Sequence, residues 1–211
     1  MAWTTERELL PGAAVFYGVR PAWAHLWEQC KRERRDWFYG DNSYHDATRE
    51  RHFRFTKNAI QHTGLGTSDG KRFAALGITV KPMRSDGDRI VLCPQSPEFM
   101  QTVAGDPGWE ARVTKNLREI HGADRLIVRR KGEKRPLRDD LARAALLATW
   151  SSCAAVTALL EGVRVLCAPQ CCATFADDRL RWASVLADNE FSLEEMARGD
   201  AWRMLNGEVR A

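Results

Sequence analysis

Residues 40–46 read Gly-Asp-Asn-Ser-Tyr-His-Asp and follow the aromatic run Trp37-Phe38-Tyr39. A carboxylate and an imidazole at the end of an apolar run are groups that can take a proton from a hydroxyl within hydrogen-bond reach. Asp41, directly after Gly40, is the first candidate base. His45 is the second, because imidazole chemistry sits near neutral pH. Asp46, His52 and His62 are weaker candidates, and Gly-Asp-Asn is also an ordinary turn sequence.

A second group of chemically useful residues surrounds the apolar run 146–169, LLATWSSCAAVTALLEGVRVLCAP. Its length suggests a membrane span, but Glu161, Gly162 and Arg164 interrupt it, which is a poor fit to hydrocarbon. It parses better as three pieces: a strand end, a buried helix from Ser151 or Ser152 to Gly162, and a strand over 164–169. A helix that follows a parallel strand opens at the carboxyl edge of the sheet, with free N–H groups and serine hydroxyls facing the crevice. A phosphate is stabilised there. A plain N-cap serine with no ligand gives the same pattern.

Elements able to position these groups alternate along the chain. Residues 13–20 read as a strand, 21–35 as a helix opening on Pro21, and 36–46 as a second strand leading into a loop. Residues 49–73 have no sustained period. Residues 74–83 read as a short strand stopped by Pro82, and 84–89 as a polar linker. Beyond it come a strand (89–96), helices (97–105 and 108–122), a strand entering a cationic loop (124–136) and a helix (137–147). Helices over 178–188 and 192–205 close the chain, the latter with a Ser192/Glu195 capping box. Strand–helix alternation predicts an α/β protein with mainly parallel sheets in two small Rossmann-like lobes, 1–87 and 88–211, facing each other across a cleft.

Charge is unevenly spread. Residues 1–87 carry 14 Lys/Arg against 10 Asp/Glu, and the remainder 18 against 18. The excess positive charge and four of the five histidines therefore lie in the first part, as a polyanion-facing surface would have it. The stretch RERHFRFTKN places Arg49, Arg51, Arg54 and Lys57 where they can contact phosphates. Alternatively, His52, Arg54 and Thr56 form the solvent face of a strand whose inner face is Phe53 and Phe55. Of the six cysteines, three lie in or beside apolar runs, and no Cys-x-x-Cys pair marks a metal site. The N-terminus has no basic segment followed by an apolar one, so a reducing cytoplasm is expected.

The order DRLIVRRKGEKRPL…DDLARAALLATWSSCAAVTALLEGVRVLCAP resembles the C-terminal lobe of two-domain Rossmann-type (GT-B) glycosyltransferases and of related nucleotide-sugar 2-epimerases. FYGDNSYHD and RHFRFTKNA resemble the first lobe of small phage- and prophage-associated proteins of this type. Arg164 stands where the family often has Pro. The resemblance implies a compact GT-B fold in a bacterial cytoplasm, a nucleotide-sugar donor and no required metal or other cofactor. It implies that Ser151 and Ser152 hold the donor diphosphate and that Arg129 and Lys131 neutralise it. Gln95 and Ser96 would line the same crevice, and Glu161 would stand where relatives place a carboxylate on the donor. Asp41 or His45 would activate the acceptor. Arg51, Arg54 and Lys57 would contact an anionic acceptor, such as a modified DNA base within nucleic acid. A non-catalytic nucleotide- or nucleic-acid-binding protein on the same scaffold, or a nucleotide-sugar epimerase or hydrolase, would share these features.

Overall fold

A computed structural model of the protein describes residues 9, 12–45, 51–64 and 66–208. Strand β1 (Ala14–Tyr17) leads through a single turn opened by Pro21 into helix α1 (Ala24–Glu33), and then into β2 (Trp37–Asn42), parallel to β1. The helix buries Trp27 and Cys30 against Phe16, Trp37 and Tyr39 in an aromatic core. It stops at Arg34, whose left-handed φ of 54° ends the ladder.

The first sheet departs from the parallel expectation after β2. Strand β3 (His52–Lys57) runs antiparallel to β2, and β8 (Glu190–Ser192) runs antiparallel to β3, giving the order β1-β2-β3-β8. Only nine residues join β2 to β3, which suits a hairpin-like return and is too short for the helical crossover that parallel strands need. The face expectation for β3 is also inverted. Arg54 and Thr56 are buried, whereas Phe53 and Phe55 are half-buried.

The second sheet is wholly parallel, in the order β5-β4-β6-β7. It comprises β4 (Arg89–Cys93), β5 (Leu126–Val128), β6 (Ala144–Thr149) and β7 (Arg164–Leu166). After β4 come α3 (Pro97–Phe99), a π-turn over Met100–Ala104 and α4 (Trp109–His121). The helix expected over 137–147 is split. Only α5 (Leu137–Leu141) is helical, and Ala144–Thr149 is the strand beside β4. A strand buried on both faces is a continuous apolar run, which periodicity cannot separate from a buried helix. The long apolar run resolves into β6, α6 (Ala154–Leu160) and β7, and no helix among the described residues is long and apolar enough to cross a membrane.

The strand expected over 74–83 is not formed. Helix α2 (Lys71–Ala75) ends there, and the following chain hydrogen-bonds to the end of α6: Lys81 N–H to Leu160 O at 2.8 Å and Arg84 N–H to Gly162 O at 2.8 Å. Gly162 has φ +77°, and a Cβ on it would collide with the Pro82 carbonyl. The segment therefore needs this glycine both for conformation and for close approach.

Residues on both sides of position 87 share one core. Tyr44 and Phe73 pack with Val156, Leu160, Trp182 and Leu186. Helix α7 (Arg179–Asp188), capped by Asp178, leads into β8, which joins the first sheet. The 87/88 boundary thus separates the strands of the two sheets except β8, while the packing crosses it.

The expected C-terminal helix is two short ones, α8 (Leu193–Ala197) and α9 (Asp200–Leu205). The Ser192/Glu195 capping box is formed. Glu195 also takes the Arg72 fork, at 2.6 and 3.1 Å. That guanidinium holds the Glu195 carboxyl well below its ordinary 4.5, at about 2. A depressed folded-state pKa stabilises the fold above the unfolded value and is lost as pH falls through the folded one. We expect Glu195→Gln to flatten the loss of stability between pH 4.5 and about 2. With Arg72 partly solvated, the difference should be on the order of 1–2 kcal/mol in urea unfolding.

Candidate functional site

The carboxyl ends of β4, β5 and β6 lie side by side, because the three strands are parallel neighbours. From β4 the chain leaves towards β5, and from β6 it leaves towards β7 on the other side. The space above the β4/β6 pair is therefore a topological switch point, where open parallel sheets form crevices. A cleft of about 780 Å³ opens there, and its opposite wall is the first sheet.

Gln95 and Ser96 after β4, Arg129 and Lys131 after β5, and Ser151 and Ser152 after β6 all line this cleft. Gln95 Nε2 donates to Ser151 Oγ at 3.0 Å, so the loops after β4 and β6 are joined. Thr149 donates its hydroxyl to the Cys93 carbonyl at 2.6 Å and accepts the Ser152 N–H at 3.2 Å. Ser152 Oγ accepts the Ala154 N–H at 3.2 Å. At the start of α6 the Ala154 N–H is thus met by the Ser152 hydroxyl from the preceding turn, while the Ala155 and Val156 N–H groups bond the Ser152 and Cys153 carbonyls. Ser96 Oγ plays the same part for α3, accepting the Phe99 N–H at 3.2 Å.

The cations on this wall differ in commitment. Arg129 is largely buried and donates to Asp140 Oδ2 at 2.6 Å and to the Arg135 carbonyl. Asp140 is buried and also pairs with Arg135. Arg130 lines the cleft with its guanidinium on Glu110, 3.1 Å away. Lys131 is exposed, and neither it nor Arg20 on the opposite wall makes an ion pair among the described residues.

The facing wall carries Asp41 and Arg54. Asp41 Oδ2 accepts from the Tyr39 hydroxyl and from Arg54 Nη2, both at 2.9 Å, and Oδ1 accepts the Asn42 N–H at 2.8 Å. The carboxylate is one-third exposed towards the cleft. Arg54 is buried, donates to the Asn42 and Ile60 carbonyls at 3.0 and 2.6 Å, and lies 4.7 Å from the Tyr44 ring centre. Burial pushes the Tyr39 phenol upward, so it stays a hydrogen-bond donor to Asp41.

The remaining expected residues lie elsewhere. His45 is buried away from the cleft, with Nδ1 2.9 Å from Glu190 Oε1, which also accepts the Tyr44 and His45 N–H groups. Glu161 sits at the far end of α6, bound by Lys81 and, at 3.1 Å, by Arg138. Arg51 is exposed at the start of β3, and Lys57 pairs with Asp36 at 2.7 Å. His52 and His62 do not line the cleft. Asp46 and Arg49 lie outside the described residues.

Sequence reasoning misses Gln61, Thr149, Asp140 and Tyr39. Gln61 is buried. Its amide donates to the Ser151 carbonyl and accepts the Cys172 N–H at 2.8 Å, tying the first wall to the loop after β6. Nothing local marks it. Thr149 did carry a signal, as the one hydroxyl within the apolar run 146–150 that leads into Ser151 and Ser152. Cys93 and Cys153 also line the cleft, and burial raises the Cys93 thiol to about 12. All six cysteines are free thiols. No group of three or more His, Cys, Asp or Glu arranged to hold a metal is found among the described residues.

No protein-family model matches this chain, and no curated protein matches it in sequence.

Proposed function

We propose that the cleft binds the diphosphate of a nucleotide sugar and that the protein transfers the sugar to an acceptor hydroxyl. One observation carries this reading. Hydroxyl, amide and cationic groups from three adjacent parallel strand ends share a cleft with a carboxylate on the opposite wall. Charge develops on the leaving diphosphate, and Ser151, Ser152, Arg129 and the exposed Lys131 would be the donors that meet it. Asp41 stands across the cleft as the group to accept the acceptor's proton. Arg20 gives that wall a positive charge, unpaired among the described residues, of the kind an anionic acceptor, such as a nucleic-acid base with its phosphates, would need, whereas Arg54 is spent on Asp41 and two carbonyls.

The test is thermal unfolding with nucleoside diphosphates and nucleotide sugars. A ligand that binds only the folded state raises the melting temperature. One base class should produce a shift, and Ser151→Ala/Ser152→Ala should remove most of it. Hydrogen bonds to a charged group contribute about 1.5–3 kcal/mol, so Kd should rise by roughly tenfold or more. No shift with any nucleotide overturns the reading.

The three hydrogen bonds that Asp41 already accepts favour a second reading, a non-catalytic nucleotide- or nucleic-acid-binding protein on this scaffold. It predicts binding without transfer, unchanged by loss of the Asp41 carboxylate.

A further inference from the structure

A second cavity of about 390 Å³ lies between β3, residues 61–63 and 66–67, the end of α7 and α9. Two of its lining side chains have an unanswered polar atom. Asp188 is buried, and its Oδ2 has no hydrogen-bond partner among the described residues. His62 Nε2 is likewise buried and unpartnered. The His62 ring also interacts with the Gly64 backbone, and with its N–H on that side Nε2 is an acceptor. Burial pushes the His62 imidazole downward, which favours its neutral form. Both orphaned atoms therefore accept and do not donate.

No nearby cation among the described residues hydrogen-bonds them, although the Arg72 charge favours the Asp188 carboxylate. Lys57 is held by Asp36, and the Arg72 fork is spent on Glu195 and on the Ala187 and Glu190 carbonyls. Ser68 hydrogen-bonds the Asp188 carboxyl, and burial still pushes that carboxyl upward. A buried acceptor without a donor costs about 1–3 kcal/mol, and more when it is charged. The cavity is on the order of ten times a water's share of the liquid, so it has room for more than a solvent molecule.

We infer that this cavity is a second ligand site, which takes a small cation bearing several N–H donors, an alkyl-guanidinium or primary ammonium group, between Asp188 and His62. An anion is disfavoured because both orphaned atoms are acceptors. Thr56, Thr67 and Asn189 give polar flanks, while Val185, Met204 and Leu205 suit a short alkyl tail. Gln61 lines this cavity as well as the main cleft, so an occupant bears on the side chain that holds the Ser151 carbonyl.

The experiment titrates the full chain with methylguanidinium while following the imidazole ¹⁵N signals of His62, with tetramethylammonium as a cation lacking N–H donors. Methylguanidinium should shift the His62 Nε2 signal saturably and tetramethylammonium should not. Asp188→Asn should weaken binding by about tenfold or more, the loss of a charge-assisted hydrogen bond. No saturable shift, an equal response to tetramethylammonium, or equal affinity in a folded Asp188→Asn overturns the proposal. If that variant does not fold, a crystal of the unaltered protein soaked in methylguanidinium decides. The guanidinium on Asp188 Oδ2 and His62 Nε2 supports the site, and water alone there overturns it.

Discussion

Under the proposed function, Asp41→Asn is expected to leave nucleoside-diphosphate binding intact and to lower glycosyl transfer by about 10²–10⁴-fold, the usual contribution of a positioned general base. Asparagine is nearly isosteric with aspartate. Its carbonyl oxygen can accept from either Tyr39 or Arg54, so the wall keeps much of its shape. It has no lone pair basic enough to take a hydroxyl proton. The hydroxyl, amide and cationic groups of the other wall, after β4, β5 and β6, do not touch Asp41. Binding and transfer should therefore separate: the nucleotide-induced shift in melting temperature stays, and turnover in a radiolabelled-sugar assay goes. Equal turnover in the variant would remove Asp41 from the chemistry and favour the binding-protein reading.

Placement of the strand-end residues was legible because it depends on one topological rule. Gln95, Ser96, Arg129, Lys131, Ser151 and Ser152 each follow an apolar run, and parallel strands bring all such ends to one edge. The rule needs only the alternation of elements, and modest boundary errors, such as the helix drawn through Ala144–Leu147, do not disturb it. It fails for Glu161 because a helix that starts at the cleft must end away from it. Seven residues of α6 carry Glu161 to the partners Lys81 and Arg138.

The opposite wall was less legible because its side chains are set by partners far along the chain. His45 reads as a catalytic candidate from its neighbours, yet its surroundings come from Glu190, 145 residues on. Arg54 reads as a surface cation because an arginine between two phenylalanines fits an amphipathic strand. Its burial depends on the Tyr39 and Tyr44 rings and on two carbonyls that no sequence pattern brings together. The segment 74–83 has strand-like composition, but its backbone partners are Leu160 and Gly162 at a helix end, not a neighbouring strand.

That burial makes Arg54→Met the substitution with the largest expected cost to stability. Methionine keeps the apolar stem between the tyrosine rings but removes every donor. The Asn42 and Ile60 carbonyls each lose a hydrogen bond, and Asp41 loses its only cationic partner among the described residues. Breaking a buried ion pair by removing one member costs about 3–5 kcal/mol, because the remaining groups stay desolvated. Asp41 is one-third exposed and can recover some hydration, which points to the lower end of that range. Against a total stability of about 5–15 kcal/mol, this is a large share. Arg54→Lys should recover only part of the loss, since one ammonium cannot reproduce a fork that reaches three acceptors in different directions. Equilibrium urea unfolding of the three proteins measures this directly. The double variant Arg54→Met/Asp41→Asn should be less destabilised than the sum of the singles, because the second change removes the charge that the first strands. Additive losses would mean that the two side chains do not act as a pair, and that Arg54 stabilises the wall through the carbonyls and tyrosine rings alone.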